Sequence, residues 1–131
     1  MRVKTIAESA EEFGVSQRTI RYYEEIGLLH PERTAANKRL YSKAEMAKLK
    51  LIFRGKRYGF SLEEIKEMVL LFDQDRTGKK QLEVTVDYGR KRIAEIEATI
   101  AEFQEMKQEM EALLTQFENK LNQFEGEKAH E

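Results

Sequence analysis

The sequence predicts a mainly α-helical protein in which a head of short helices precedes one long helix. Thr5, Ser42 and Ser61 each stand three residues before a glutamate, which is the spacing of a capping box at a helix start. A heptad pattern of apolar residues then runs from Leu82 to Phe124. These observations place a head domain at residues 1–75, a linker at 76–81, a coiled-coil helix at 82–124 and a disordered tail at 125–131.

Two short helices at the N-terminus form a helix-turn-helix pattern. The first begins at the Thr5 cap and ends at Gly14, which suits a left-handed helix end. Ser16 caps the second helix, which runs to Ile26. In a helix-turn-helix the second helix enters the major groove of DNA, so its side chains are candidates for contacts to bases and phosphates.

The second helix carries two arginines that share one face. Arg18 and Arg21 lie three residues apart, and an arginine on such a helix can bind a guanine edge or a phosphate with two N–H groups. The alternative is that each arginine is solvated and pairs with a glutamate of the same helix, Glu24 or Glu25.

A short hairpin, or wing, is predicted at residues 28–41, because this segment lacks helical periodicity and contains the only proline of the sequence. Asn37 tolerates left-handed turn geometry, and basic side chains and a tyrosine surround it. A third helix is predicted from Ser42 to the cation-rich turn at 54–59. A fourth begins at Ser61 and is followed by a loop at 73–80.

The long helix carries an apolar seam. Eleven of the thirteen predicted a and d positions from Leu82 to Phe124 are apolar, and Gly89 and Lys107 are the exceptions. One helix over 82–124 spans about 64 Å at about 1.5 Å per residue and needs a partner, for which a second copy of the chain is the first candidate. The predicted dimerisation residues are Ile93, Ile96, Ile100, Phe103, Met110, Leu114, Phe117 and Leu121.

The head is basic although the whole chain has a net charge of −1. Residues 1–60 carry 13 Lys/Arg against 7 Asp/Glu, whereas residues 61–131 carry 10 against 17. The head is therefore suited to a polyanion such as nucleic acid.

Several classes of function are excluded by what the sequence lacks. It has no cysteine, which excludes disulfides, thiolate nucleophiles, iron–sulfur clusters and thiol sites for soft metals. Carboxylates and His130 show no ligand spacing, and no histidine pair or Gly-rich phosphate loop supports an enzyme, so we predict no catalytic residue, metal or cofactor. With no signal peptide and no apolar run of ~20 residues, we expect a cytoplasmic protein without a membrane partner.

The run from Thr19 to Leu29, TIRYYEEIGLL, resembles the signature of MerR-family transcription regulators. The order of parts agrees: helix-turn-helix, basic wing, capped helix pair and long helix. Residues 33–41 resemble the first wing of that family, and residues 54–61 resemble its second wing. The resemblance implies a winged helix-turn-helix DNA-binding domain, with two chains joined as a homodimer through an antiparallel coiled coil.

The resemblance also implies a function. Such a dimer binds a palindromic operator in double-stranded promoter DNA, often inside an overlong spacer, and bends and untwists it so that RNA polymerase engages both promoter elements. Arg18 and Arg21 are then expected to face DNA, with Tyr22 against the backbone and Tyr23 in the core. The predicted DNA-binding residues are Ser16, Arg18, Thr19, Arg21, Tyr22, Arg33, Lys38, Arg39, Tyr41, Lys56 and Arg57.

Alternatives remain at the level of the sequence. The chain could be a simple repressor that occludes a promoter, or a coiled-coil interaction module whose basic head contacts an acidic protein, and the wing residues could form ordinary basic turns. A small-molecule effector is possible: residues 59–64 and 71–73 resemble family members encoded beside genes for branched-chain amino-acid and fatty-acid catabolism, which suggests an acyl-CoA or related metabolite, but these residues also simply pack the fourth helix. An apolar face of the long helix is either an effector pocket between subunits or, as we favour, coiled-coil core or packing onto the fourth helix; it comprises Met106, Met110, Leu113 and Leu114.

Overall fold

The computed structural model describes residues 3–75 and 77–129, with the backbone alone for 127–129. The chain divides into two compact units, Met1–Gly89 and Arg90–Glu131. The mainly helical fold class is confirmed, with a winged helix-turn-helix followed by a long helix. The elements in order are β1 Lys4–Thr5, α1 Ile6–Phe13, α2 Gln17–Glu25, β2 Glu32–Arg33, β3 Arg39–Tyr41, α3 Lys43–Tyr58, α4 Leu62–Gln74 and α5 Lys79–Ala129.

The helix-turn-helix forms through the predicted caps. The Thr5 hydroxyl accepts the Glu8 N–H at 3.1 Å, and Glu8 Oε1 accepts the Thr5 N–H at 3.0 Å, which completes the capping box. Gly14 ends α1 with φ 65°, and Ser16 Oγ accepts the Thr19 N–H at 3.1 Å to begin α2. These local bonds fix the turn between α1 and α2.

A three-stranded antiparallel sheet of order β1-β3-β2 contains the predicted wing. The hairpin of β2 and β3 turns at residues 34–38, where Asn37 adopts φ 61°. The sequence does not predict β1, whose Lys4 and Thr5 pair with Tyr41 and Leu40. Two residues are too few to show the alternation by which a strand is recognised, so only the folded chain reveals it.

The prediction that Tyr41 contacts DNA is wrong. Its side chain is 0% exposed and belongs to the core. The reason is that β3 is the central strand and packs against α1 and α3, which cover its C-terminal end. The Tyr41 hydroxyl has no hydrogen-bond partner among the described residues, and burial, with a smaller contribution from Glu24, raises the pKa of Tyr41 to about 12.

Tyr41→Phe is expected to stabilise the head. At neutral pH the variant removes a buried, unsatisfied hydroxyl, so the free energy of unfolding should rise by about 1 kcal/mol. Since the folded pKa of about 12 exceeds the ordinary value of 10.0, neutral Tyr41 contributes stability that is complete below pH 10 and lost as the pH rises towards 12. The parent should lose roughly 2–3 kcal/mol over this range that the variant keeps. Denaturant titrations at both pH values, with the exposed Tyr22→Phe as control, measure this; identical alkaline losses would contradict it.

The second predicted capping box, Ser42 with Glu45, forms only in part. Ser42 Oγ accepts the Glu45 N–H at 3.3 Å, but the Glu45 carboxylate turns inward instead of returning to the cap. Its Oε2 accepts the His30 N–H at 3.0 Å and its Oε1 accepts Lys48 Nζ at 3.1 Å. Lys48 Nζ also donates to Asp73 Oδ1 at 2.9 Å. This network joins α3 to the loop before the wing and to α4.

Helix α3 continues through the segment predicted as a second wing and ends at Gly59, with φ 88°. Lys56 and Arg57 therefore project from the last turn of a helix rather than from a separate loop. Gly55 allows α4 to approach closely, because a Cβ there would lie 2.9 Å from Ile65 Cγ1.

The long helix begins earlier and ends later than the sequence predicts. Asp75 Oδ1 accepts the Thr77 N–H at 3.0 Å and its Oδ2 accepts the Lys80 N–H at 3.1 Å, and these bonds lower the pKa of Asp75. This local cap lets α5 start at Lys79, within the predicted linker. The predicted tail is helical through Ala129, and residues 76, 130 and 131 lie outside the described part.

The first turns of α5 pack on the head. Gln81 is buried, and the Tyr88 hydroxyl donates to the Glu67 carboxylate. The Tyr88 ring meets Phe60 edge-on, with the centroids 6.3 Å apart. The head unit therefore extends to Gly89 instead of ending at the predicted boundary near residue 75.

Beyond Gly89 the second unit is one helix whose apolar side chains are exposed in the single chain. The exposed fraction runs from 40% at Ile96 to 69% at Phe124. An apolar face of this extent usually marks an interaction surface. In the part of the chain that the structure describes, no helix has both the length and the apolarity to cross a membrane.

Candidate nucleic-acid interface

Helix α2, called the recognition helix below, presents its polar side chains at its N-terminal end. Ser16 and Thr19 form a cap in which their hydroxyl oxygens lie 2.9 Å apart. Arg18 is exposed, and Arg21 is partly exposed. Across residues 3–75 and 77–126, neither arginine has a carboxylate within ion-pair distance. The sequence alternative, a pair with a glutamate of the same helix, does not occur in the structure.

Of the two adjacent tyrosines, one is buried and the other is exposed, as predicted. Tyr23 is 4% exposed and packs edge-on against Phe53, with ring centroids 5.9 Å apart. Tyr22 is 43% exposed and stands edge-on to Tyr23 at 5.4 Å. The Lys56 ammonium lies 5.8 Å from the centroid of the Tyr23 ring. The buried ring thus supports both an exposed tyrosine and a cation from α3.

An open groove of about 630 Å³ lies between the recognition helix and the α3–α4 corner. It brings Lys56 of α3 beside four predicted DNA-binding residues at the start of the recognition helix, Ser16, Arg18, Thr19 and Tyr22. Its apolar floor, Phe60, Leu62 and Ile65, is not predicted from the sequence, where these residues give only the signal of helix packing. The groove is lined by Ser16, Arg18, Thr19, Tyr22, Tyr23, Lys56, Phe60, Leu62 and Ile65.

The wing arginines are held by the recognition helix. Glu24 Oε1 accepts from Arg33 Nη2 at 3.1 Å, and Glu24 Oε2 accepts from Arg39 Nε at 2.5 Å. Lys38 is exposed at the wing tip, where its backbone N–H donates to Thr34 Oγ1 at 3.0 Å. From the sequence, Glu24 is expected only as a partner for Arg18 or Arg21. The structure makes it a candidate functional residue at the wing. Only the fold brings it to the wing.

The arrangement suits an anionic ligand. Within the described residues, five predicted DNA-binding cations have no carboxylate within ion-pair distance, so their charge is available to phosphates. Groups of three or more ligating side chains that could hold a metal are absent from that same part of the chain. The unpaired cations are Arg18, Arg21, Lys38, Lys56 and Arg57.

Two family descriptions match the chain. "MerR HTH family regulatory protein" matches residues 4–70, and "MerR, DNA binding" matches residues 46–113. Together they cover the head and a large part of α5.

Known proteins are similar over most of the chain. It is 35% identical over 96 residues to the HTH-type transcriptional regulator HmrR of Rhizobium leguminosarum bv. viciae, covering 72% of this chain and 71% of that protein. It is 39% identical over 97 residues to HmrR of Sinorhizobium medicae (strain WSM419), covering 72% and 63%. The solved structure of HiNmlR, a MerR family regulator lacking the sensor domain and bound to promoter DNA, is 26% identical with a TM-score of 0.61, covering 87% of this chain and 89% of HiNmlR.

These matches agree with the groove, the exposed arginines and the wing. The family and these relatives are transcriptional regulators and not enzymes, as the sequence predicts. The chain belongs to the MerR family of DNA-binding transcriptional regulators.

Proposed function

We propose that the protein acts in the cytoplasm as a homodimer that binds a palindromic operator inside a promoter spacer and distorts it to control transcription. The observation that carries the proposal is the groove beside the recognition helix, lined by Arg18 and Lys56, together with Arg21 on the same helix; none of these three cations has a carboxylate partner among the described residues. Arg21 and Arg18 then read base edges, Tyr22 packs on the sugar–phosphate backbone, and Ser16 supports the start of the helix. Thr19, Lys38, Lys56 and Arg57 bind flanking phosphates.

The dimer part of the proposal rests on the exposed face of α5. Eight predicted dimerisation residues on that helix are exposed by 40% or more in the single chain, which leaves their apolar surface in water. A second copy of α5, packed antiparallel, covers this face and joins two heads in one dimer. Two heads match a palindrome because each reads one half-site.

Distortion of the operator follows from that geometry. Smooth bending of a site of this kind costs roughly 1–6 kcal/mol, which contacts from two rigidly joined heads can offset. RNA polymerase then engages both promoter elements without touching the regulator's reading head. A regulator that blocks polymerase instead would protect DNA that overlaps a promoter element.

The signal that the dimer reads is proposed to be a small metabolite, because the chain has no thiol ligands for a soft metal. An acyl-CoA-like compound remains the candidate that the sequence raises. The apolar groove on α5 along Phe103, Met106 and Met110 measures about 460 Å³, but a second helix fills such a groove in a coiled coil.

Footprinting with Arg21→Ala tests this proposal. The parent should protect a palindrome between two promoter elements, with a hypersensitive centre, in the regulator's upstream region or neighbouring promoters. Loss of Arg21 should weaken binding by about 10- to 100-fold, the cost of a lost base contact. Arg90→Ala, which removes an exposed arginine outside the head unit, should bind as the parent does. Protection that overlaps a promoter element would identify a simple repressor, and a genome-wide absence of sites would overturn the proposal.

A further inference from the structure

Glu24 occupies an unusual place in the interface, because it is an anion among groups that would face phosphates. Its carboxylate side chain is 21% exposed and accepts one arginine on each oxygen, Arg33 at 3.1 Å and Arg39 at 2.5 Å. We call these three residues the Glu24 triad. Arg33 and Arg39 are cross-strand partners in the wing, so one carboxylate joins the recognition helix to both wing strands.

The other contacts that hold the wing lie at its base, where β3 pairs with β1 and the His30 N–H donates to Glu45. Strands β2 and β3 have two and three residues, and a hairpin this short is only marginally stable by itself. Its turn is closed by the Thr34 N–H, which donates to the Lys38 carbonyl at 2.9 Å. The β3 strand is anchored in the core by Tyr41, whereas the β2 strand reaches the recognition helix through Arg33.

The two arginines differ in what they can still bind. The Arg33 side chain is 38% exposed, and its Nη1 donates to the Asn37 carbonyl oxygen at 3.3 Å and to Asn37 Oδ1 at 3.4 Å, so Arg33 binds the wing tip as well as Glu24. Of its five N–H donors, these three contacts leave at least two for a phosphate. The Arg39 side chain is 25% exposed and lies on the central strand β3, where its bond to Glu24 holds that strand to the recognition helix.

We propose that Glu24 is a positioning residue that sets the specificity of DNA binding; this inference rests on the proposed function. The carboxylate fixes the wing beside the recognition helix and neutralises one of the two wing arginines. The wing then adds affinity only where a phosphate lies at the matching distance from the bases that α2 reads. Without the carboxylate, two released cations bind any duplex, because phosphate attraction carries no sequence information.

The two effects of the carboxylate predict opposite changes for two kinds of DNA. Removing the charge should strengthen binding to arbitrary DNA and steepen its salt dependence, since one more cation per head can neutralise a phosphate. Loss of the fixed wing should weaken binding to the operator. The ratio of operator to arbitrary affinity should therefore fall by about tenfold, the size of a lost charge-assisted contact.

Glu24→Gln and Glu25→Gln form a matched pair for this test. Both variants add the same charge to adjacent positions of the helix end, but Glu25 is exposed and makes no ion pair with the other described residues. The probes are a duplex that the parent selects from a random-sequence pool and a scrambled duplex of the same composition, each titrated at several salt concentrations. Glu24→Gln should lower the affinity ratio about tenfold, whereas Glu25→Gln should keep it within about twofold.

Glu24→Asp separates geometry from charge. It keeps the carboxylate but withdraws it by one methylene, so a purely electrostatic role predicts an unchanged affinity ratio. A positioning role predicts a lower ratio and faster hydrogen exchange of the Thr34 amide without DNA. This variant also serves if Glu24→Gln fails to fold.

The outcomes separate the two levels of the proposal. Equal affinity ratios for Glu24→Gln and Glu25→Gln, or unchanged Thr34 exchange in both Glu24 variants, overturn the inference and leave the proposed function standing. A parent that selects no sequence from the pool overturns the proposed function and this inference with it.

Discussion

Aspartates in place of Ile100 and Leu114 are expected to make the protein monomeric and to weaken its binding to a two-half-site operator by about 10²- to 10⁴-fold. Both side chains lie on the apolar seam of α5, where they are 51% and 53% exposed in the single chain. Burial against a second copy would place four carboxylates in an apolar interface, which is costly without paired cations. The two heads would then bind independently, and each would lose the high effective concentration that its partner provides.

The control for this experiment adds the same charges to the opposite face of the helix. Ala98→Asp with Ala112→Asp lies two residues before each seam position, on exposed sites outside the a and d pattern. Sedimentation should report a dimer for the parent and control and a monomer for the seam variant. Titrations with duplexes carrying one or two half-sites should show that the seam variant loses only the gain from the second half-site. A dimeric seam variant would contradict the proposed interface.

Much of the fold can be predicted from the sequence because its signals act over a few residues. The Thr5–Glu8 box and the Gly14 cap involve neighbours along the chain, and Asn37 adopts a left-handed conformation that its side chain tolerates. Heptad periodicity likewise repeats within one helix. Where no other part of the chain competes for the same groups, a local pattern is sufficient to predict such features.

The Ser42–Glu45 pair shows where local reasoning fails. Its spacing equals that of the other two boxes, but the Glu45 carboxylate binds Lys48, one turn further along the same helix, and the His30 N–H instead of the cap. The spacing of Glu45 and Lys48 permits their pair, but no local pattern shows that the His30 N–H comes to this carboxylate or that the cap is lost. The same holds for β1, which exists only because the central strand passes beside Lys4 and Thr5.

The candidate site likewise contains some residues whose positions follow from local sequence and others whose positions depend on the fold. Arg18 and Arg21 could be assigned to one face from helical spacing alone. The adjacency of Tyr22 and Tyr23 predicts that one of the two is buried, and in the structure it is Tyr23. Tyr41 could not be assigned, because its burial depends on helices that pack over the central strand. The pairing of Glu24 with the wing also depends on residues nine and fifteen positions away.

Lys48→Met is expected to destabilise the head by about 3–5 kcal/mol, a large part of the roughly 5–15 kcal/mol that holds a domain of this kind together. The Lys48 side chain is 1% exposed and Nζ donates to Glu45 Oε1 at 3.1 Å and to Asp73 Oδ1 at 2.9 Å. Without the ammonium, the Glu45 carboxylate remains buried, and among the described residues it keeps one hydrogen-bond donor, the His30 N–H. Asp73, whose side chain is 50% exposed, can return to water at little cost.

Denaturant titrations of two further variants show whether the buried charge causes this loss. Lys50→Met removes a lysine from an exposed position on the same helix and should change the free energy of unfolding by less than about 0.5 kcal/mol. Lys48→Met combined with Glu45→Gln removes both charges and should recover part of the stability, since an unpaired buried carboxylate is costlier than a neutral amide. A double variant no more stable than Lys48→Met would contradict the buried charge as the cause and would point to lost packing of the lysine stem. Because Glu45 also binds the root of the wing through His30, recovery of stability in the double variant need not restore operator affinity, and measuring both quantities separates the role of this network in folding from its role in holding the wing.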